Sequence, residues 1–255
     1  LAKNEDFTEL LCPSLTCLKL LQGWNPVLSE LAARHLKHLK HLEVNDEAPI
    51  NAECFFPNTL TRLRLITNTH KVPIELLERL PAGMLHLETT FPTVWRFTGL
   101  PRGLRQLKFS LDRYTYPSTP PFDAEQAPQL FSGLPPKLEH LRIANLPRFI
   151  PACLPNTVTS FNSHLLIKNK QVDLCSILPT ALTSLQMEFY RQYSAADLSS
   201  DDPFQYVISL PSQLKTLEVN MRDSYREPAD PRSEQDRLNR SILGKLLPML
   251  PSTLT

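Results

Sequence analysis

The chain has 255 residues, 27 Lys and Arg against 26 Asp and Glu, 42% apolar residues, and 24 Pro beside only 6 Gly. A core can therefore be built, and a disordered tail is excluded. So are the surplus of positive charge that nucleic acid or an anionic membrane requires and the long apolar run that crosses a bilayer.

One phrase recurs along the chain. An apolar residue is followed three and five residues later by two more, and a Pro often stands three residues before the first. Leu15, Leu18 and Leu20 form a weak first copy. A stretch with helical spacing follows over residues 27–36, and then Leu39, Leu42 and Val44. Pro57 with Leu60, Leu63 and Leu65 is the first complete copy, followed by a second helix-like stretch over 74–80. Next come Met84/Leu87/Thr89, then Pro101 with Leu104, Leu107 and Phe109. Pro135 leads Leu138, Leu141 and Ile143, and Val158/Phe161/Ser163 is weaker. Pro179 leads Leu182, Leu185 and Met187, and Pro211 leads Leu214, Leu217 and Val219. A third helical stretch is expected over 234–250, before a tenth copy begins at Pro251 and Leu254 and stops at Thr255.

The period is 20 to 24 residues, stretched to 34, 32 and 40 where segments are inserted. L-x-L places two apolar residues on one side of a short strand and the residue between them on the other. The preceding Pro, with fixed φ and no N–H, is expected to end one unit and start the next extended segment. A single unit cannot bury its leucines, whereas stacked units share a continuous core. The expected fold is α/β: a curved solenoid over residues 1–255 of about nine full repeats and a truncated tenth. Parallel strands line its concave face, and helices and loops its convex face. The start at Leu1 and the stop inside a repeat suggest a fragment of a longer chain.

The phrase resembles the leucine-rich repeat superfamily from about Leu15 to Thr255. The form at Leu178-Pro179 to Met187 looks like slime-mould repeats named after Phe-Asn-Ile-Pro, and like the leucine-rich domain of bacterial ubiquitin-ligase effectors. The family's Asn, three residues after the last strand Leu, is matched here by Asn68 alone, so a regular Asn ladder is not expected. The resemblance implies a protein-binding scaffold, for example the substrate-recognition part of a ubiquitin ligase, and implies no enzymatic chemistry. The alternatives are a secreted or receptor-ectodomain recognition module and a GTPase-activating leucine-rich protein.

The chemistry-bearing residues point the same way. The five cysteines, Cys12, Cys17, Cys54, Cys153 and Cys175, are odd in number and contain no CxxC, so free thiols and a cytoplasmic location are expected. His35, His38 and His41 cross a helix–strand boundary, and His41, His86 and His140 occupy one outward column about 10 Å apart, too far to share a metal ion. No metal, no cofactor and no catalytic set is expected. The residue between the two strand apolars runs Lys19, Glu43, Arg64, Glu88, Lys108, Arg142, Asn162, Gln186, Glu218. The first five alternate in sign, which reads either as mutual neutralisation or as a patterned docking surface. Insertions over 111–123, 188–202 and 221–233 leave the same end of their strands. They carry Tyr114, Tyr116, Tyr190, Arg191, Tyr193, Arg222, Tyr225 and Arg226, the expected contacts to a protein partner. Neither nucleic acid nor membrane is expected as a partner.

Overall fold

Each repeat opens with a turn that the phrase itself closes. The amide of the first apolar residue donates to the carbonyl three residues earlier: Leu60 to Pro57, Met84 to Pro81, Leu104 to Pro101, Leu138 to Pro135, Val158 to Pro155, Leu182 to Pro179 and Leu214 to Pro211, at 3.0–3.2 Å. Cys12 and Leu36 supply that carbonyl in the first two repeats. The proline therefore opens a four-residue turn, and the strand starts five residues later. This corrects the expectation that it begins the extended segment directly. Its missing N–H suits a buried position where no donor is needed. The computed structural model describes residues 12–21, 25–46, 50–67, 72–91, 99–111, 133–146, 154–165, 178–191 and 210–223.

Nine strands follow the turns: β1 (Cys17–Leu20), β2 (His41–Asp46), β3 (Arg62–Thr67), β4 (His86–Phe91), β5 (Gln106–Leu111), β6 (His140–Leu146), β7 (Ser160–Leu165), β8 (Ser184–Arg191) and β9 (Thr216–Asp223). They form one parallel sheet in sequence order, each strand paired with the one from the next repeat. Register is set at the strand entrance. One carbonyl of each repeat accepts two successive amides of the next: Thr61 O takes Leu85 N and His86 N at 2.8 and 3.0 Å, and Arg105 O takes Glu139 N and His140 N at 2.8 and 2.9 Å. Threonine hydroxyls add to this step. Thr59 donates to Leu39 O at 2.8 Å and Thr157 to Leu138 O at 2.7 Å, both from the same Pro-Asn-Thr sequence. Thr61, Thr159 and Thr183, one residue past the first apolar position, donate to Lys40 O, Glu139 O and Thr159 O at 3.2–3.3 Å.

The two helices among the described residues are short. α1 (Pro26–His35) starts where read: Asn25 caps it by accepting from Leu28 N at 2.9 Å, and Pro26 occupies the first turn. Its buried Ala32 faces the core. α2 (Ile74–Leu77) is a single turn rather than the stretch over 74–80, because it lacks a side-chain cap and Pro81 biases Leu80 away from helix. The third expected helix, over 234–250, lies outside the described residues.

The core is a stack of inward pairs: Leu42 and Val44, Leu63 and Leu65, Leu107 and Phe109, Leu141 and Ile143, Leu185 and Met187, all buried. Each fully buried aliphatic side chain contributes about 1.5–3 kcal/mol. In two repeats the second member is polar: Thr89 and Ser163 are buried at positions where their register neighbours are Phe109 and, for Ser163, Ile143 and Met187. Neither hydroxyl has a hydrogen-bond partner among the described residues. Replacing Thr89 by Val keeps the shape and removes an unsatisfied group, so it is expected to raise stability by about 1 kcal/mol. Urea unfolding followed by circular dichroism measures this; a loss of stability would show that the hydroxyl is bonded.

Candidate partner-binding face

The alternation along each strand that buries the leucines turns the residues between them to the opposite face of the sheet. Register aligns these into columns. The first runs Lys19, Glu43, Arg64, Glu88, Lys108, Arg142, Asn162, Gln186, Glu218, one per strand, in the order read from the sequence. The second, two residues earlier, runs Cys17, His41, Arg62, His86, Gln106, His140, Ser160, Ser184, Thr216.

The sign alternation produces ion pairs at one end of the first column. Lys19 Nζ lies 2.9 Å from Glu43 Oε1, Arg64 Nη1 lies 3.0 Å from the same oxygen, and Arg64 Nε lies 3.2 Å from Glu88 Oε1. The hydrogen bond from Lys19, helped by Arg64, holds the Glu43 carboxyl below its usual range against a smaller opposing effect of burial. These side chains are partly solvated, so each pair contributes roughly 0–1 kcal/mol. Further along, Asn162 donates to Gln186, a neutral pair between Arg142 and Glu218.

In the second column His86 Nδ1 sits 2.9 Å from Gln106 Oε1. His41 is held below the ordinary histidine range, first by desolvation and then by the charges of Arg62, His86 and Lys40. A depressed histidine binds its proton less well folded than unfolded. Its contribution to stability is present above the ordinary histidine range and is lost as pH falls through that range. His41→Gln is therefore expected to flatten the decline in urea midpoint between pH 7.5 and 5.5. An unchanged slope would remove His41 as a contributor. The three histidines do alternate with Arg62 and Gln106, and His35, His38 and His41 fall on α1, a turn and β2. Among the described residues no cluster of His, Cys, Asp or Glu has metal-site geometry.

The expected edge contacts fare differently. Tyr114, Tyr116, Tyr193, Tyr225 and Arg226 lie outside the described residues. Tyr190, Arg191 and Arg222 were expected in loops starting at Glu188 and Met221, but the backbone there is strand: Tyr190 pairs with Arg222, and Arg191 with Asp223. The reason is local. Residues 188–191 include Phe and Tyr, good strand formers, and contain no Gly or Pro to stop the ladder. The strands that precede the insertions, β5, β8 and β9, are parallel members of one sheet and end at Leu111, Arg191 and Asp223, and the inserted residues that follow lie outside the described residues. What sequence reasoning overlooked is where the sign alternation fails. Lys108 and Arg142 are register neighbours, and their like charges in succession were visible in the column.

Nine in-register parallel strands, one per turn-led leucine repeat, define a leucine-rich-repeat solenoid. Among solved structures the chain is similar to that of CroV588, described as a novel circular leucine-rich-repeat protein, with 18% sequence identity and a TM-score of 0.45. The likeness covers 86% of this chain and 30% of that one. No family model and no curated protein matches the sequence. Solenoids of this kind present extended concave surfaces as binding scaffolds.

Proposed function

We propose that the chain is a protein-interaction scaffold that engages its partner on the concave sheet face and on the adjoining edge from which the insertions leave. The observation that carries this reading is the continuous, polar, two-column face presented by nine strands in register. A specific form of it, substrate recognition for a ubiquitin ligase, rests on family resemblance alone. Photoreactive residues placed at Arg142 on the concave face and at Tyr190 near the edge should crosslink to a bound protein, while one at the exposed Glu30 on α1 should not. Crosslinks from Glu30 alone would move the interface to the convex side.

A cytoplasmic location, proposed from the cysteine pattern, has its own test. Cys12, Cys17 and Cys54 are free thiols, and Cys153 and Cys175 lie outside the described residues. The exposed Cys12 has its thiol pKa lowered by hydrogen bonds from Ser14, whereas burial raises that of Cys54. Alkylation of native protein should label Cys12 before Cys54, and all five should label after denaturation without reductant. Fewer than five labels would argue for disulfides and for a secreted protein.

A further inference from the structure

The concave charges do not cancel. Across β1 to β6 the two outward columns hold Lys19, Arg62, Arg64, Lys108 and Arg142 against Glu43 and Glu88 alone. Both carboxylates are engaged: Glu43 by Lys19 and Arg64, Glu88 by Arg64. Arg62, Lys108 and Arg142 form no ion pair among the described residues. Lys108 and Arg142 stand on neighbouring strands about 4.8 Å apart, an arrangement that is unfavourable in the free protein and that an anion between them would reverse. Around them the columns place Gln106, His140 and Asn162, all able to donate hydrogen bonds, while Glu88, the other register neighbour of Lys108, is paired with Arg64. Arg62 lies three strand spacings away from β6, roughly 14 Å, so the cationic strip is long enough for several residues of a peptide.

We propose that the β3–β6 region of the concave face binds an acidic segment of a protein partner, with Lys108 and Arg142 as the central carboxylate contacts and Arg62 as an outlying one. This rests on the scaffold reading above and specifies the partner's chemistry. A peptide is favoured over nucleic acid because the chain as a whole has a net charge of only +1, and because Glu88 interrupts the strip: a peptide can set an uncharged residue opposite Glu88 and its carboxylates opposite Lys108 and Arg142, whereas a phosphate backbone carries a charge at every nucleotide. The planar fork of Arg142 suits a bidentate carboxylate, and Lys108 supplies a point charge beside it.

Selection from an unbiased displayed library of twelve-residue peptides on the full 255-residue chain provides the probe, followed by titration of the enriched peptides and of single-stranded oligonucleotides. Enriched peptides should be rich in Asp and Glu, should weaken as salt is raised, and should bind K108Q/R142Q about five- to tenfold less tightly. Their isosteres with Asn and Gln should lose affinity by a similar factor or more. Equal melting curves for wild type and variant exclude misfolding as the cause. If the enriched peptides are not acidic but lose affinity when Glu43, Arg64 and Glu88 are replaced, the acidic-segment proposal falls and the concave-face reading stands. If they bind normally to both concave variants, or if no peptide is enriched, both fall. Tighter binding of the oligonucleotides than of any peptide would overturn the choice of partner.

Discussion

Phe161→Ala is expected to destabilise the protein by about 3–5 kcal/mol, the cost of deleting a large, fully buried aromatic side chain and leaving a cavity. Phe161 is among the largest fully buried side chains, at 1% exposure. Its register neighbours are Leu141 and Leu185, so it bridges the cores of three consecutive repeats. It is the apolar member of its inward pair, whose other member is Ser163. Phe161→Leu, which keeps most of the volume, should cost less than about 1.5 kcal/mol. Urea unfolding followed by circular dichroism gives both values. A loss below about 1 kcal/mol for the alanine variant would mean that Phe161 does not bridge its neighbours' cores.

The second large effect separates two positions three residues apart. Arg105→Pro removes the amide that donates to Leu85 O at 2.9 Å and disturbs the preceding Leu104, whose own amide closes the turn. A cost of about 3 kcal/mol is expected. Arg102→Pro falls inside the turn, where Pro is favoured, and repeat six already has Pro136 at the equivalent place after Pro135. It should be neutral or stabilising by about 0.4–1 kcal/mol through the unfolded chain. Melting temperatures of the two variants decide the matter: equal losses would contradict the turn-then-strand account of the repeat.

The sequence showed the fold through apolar spacing, because burial of Leu63 with Leu65 or Leu141 with Ile143 leaves no other side of the strand for Arg64 and Arg142. The same logic put every member of the charge column on its own strand in the correct order. The role of the proline was less visible. Its fixed φ is compatible with both an extended start and the first residue of a turn, and only the hydrogen bond to the following apolar amide distinguishes them. The ends of β8 and β9 were hidden because the apolar phrase stops at Met187 and Val219 while backbone pairing continues for four residues beyond each, and backbone pairing has no sequence period of its own. The threonine contacts between repeats were readable in Pro57-Asn58-Thr59-Leu60-Thr61 and Pro155-Asn156-Thr157-Val158-Thr159, had identity at the turn been weighed beside the leucines. The tyrosine-rich insertions are a different case. Their composition suggests contact residues, but nothing in a period constrains where Tyr114 or Tyr225 is placed.

The claim that fixes the partner's chemistry is that neighbouring strands present Lys108 and Arg142 together to an acidic segment. Charge exchange tests it most directly. Affinities are measured for an enriched acidic peptide, and for its counterpart with Lys at every Asp and Glu, against wild type and K108E/R142E. The account predicts that the acidic peptide loses most of its affinity for the variant, and that the lysine peptide binds the variant better than it binds wild type. An acidic peptide that binds wild type and variant equally would contradict it.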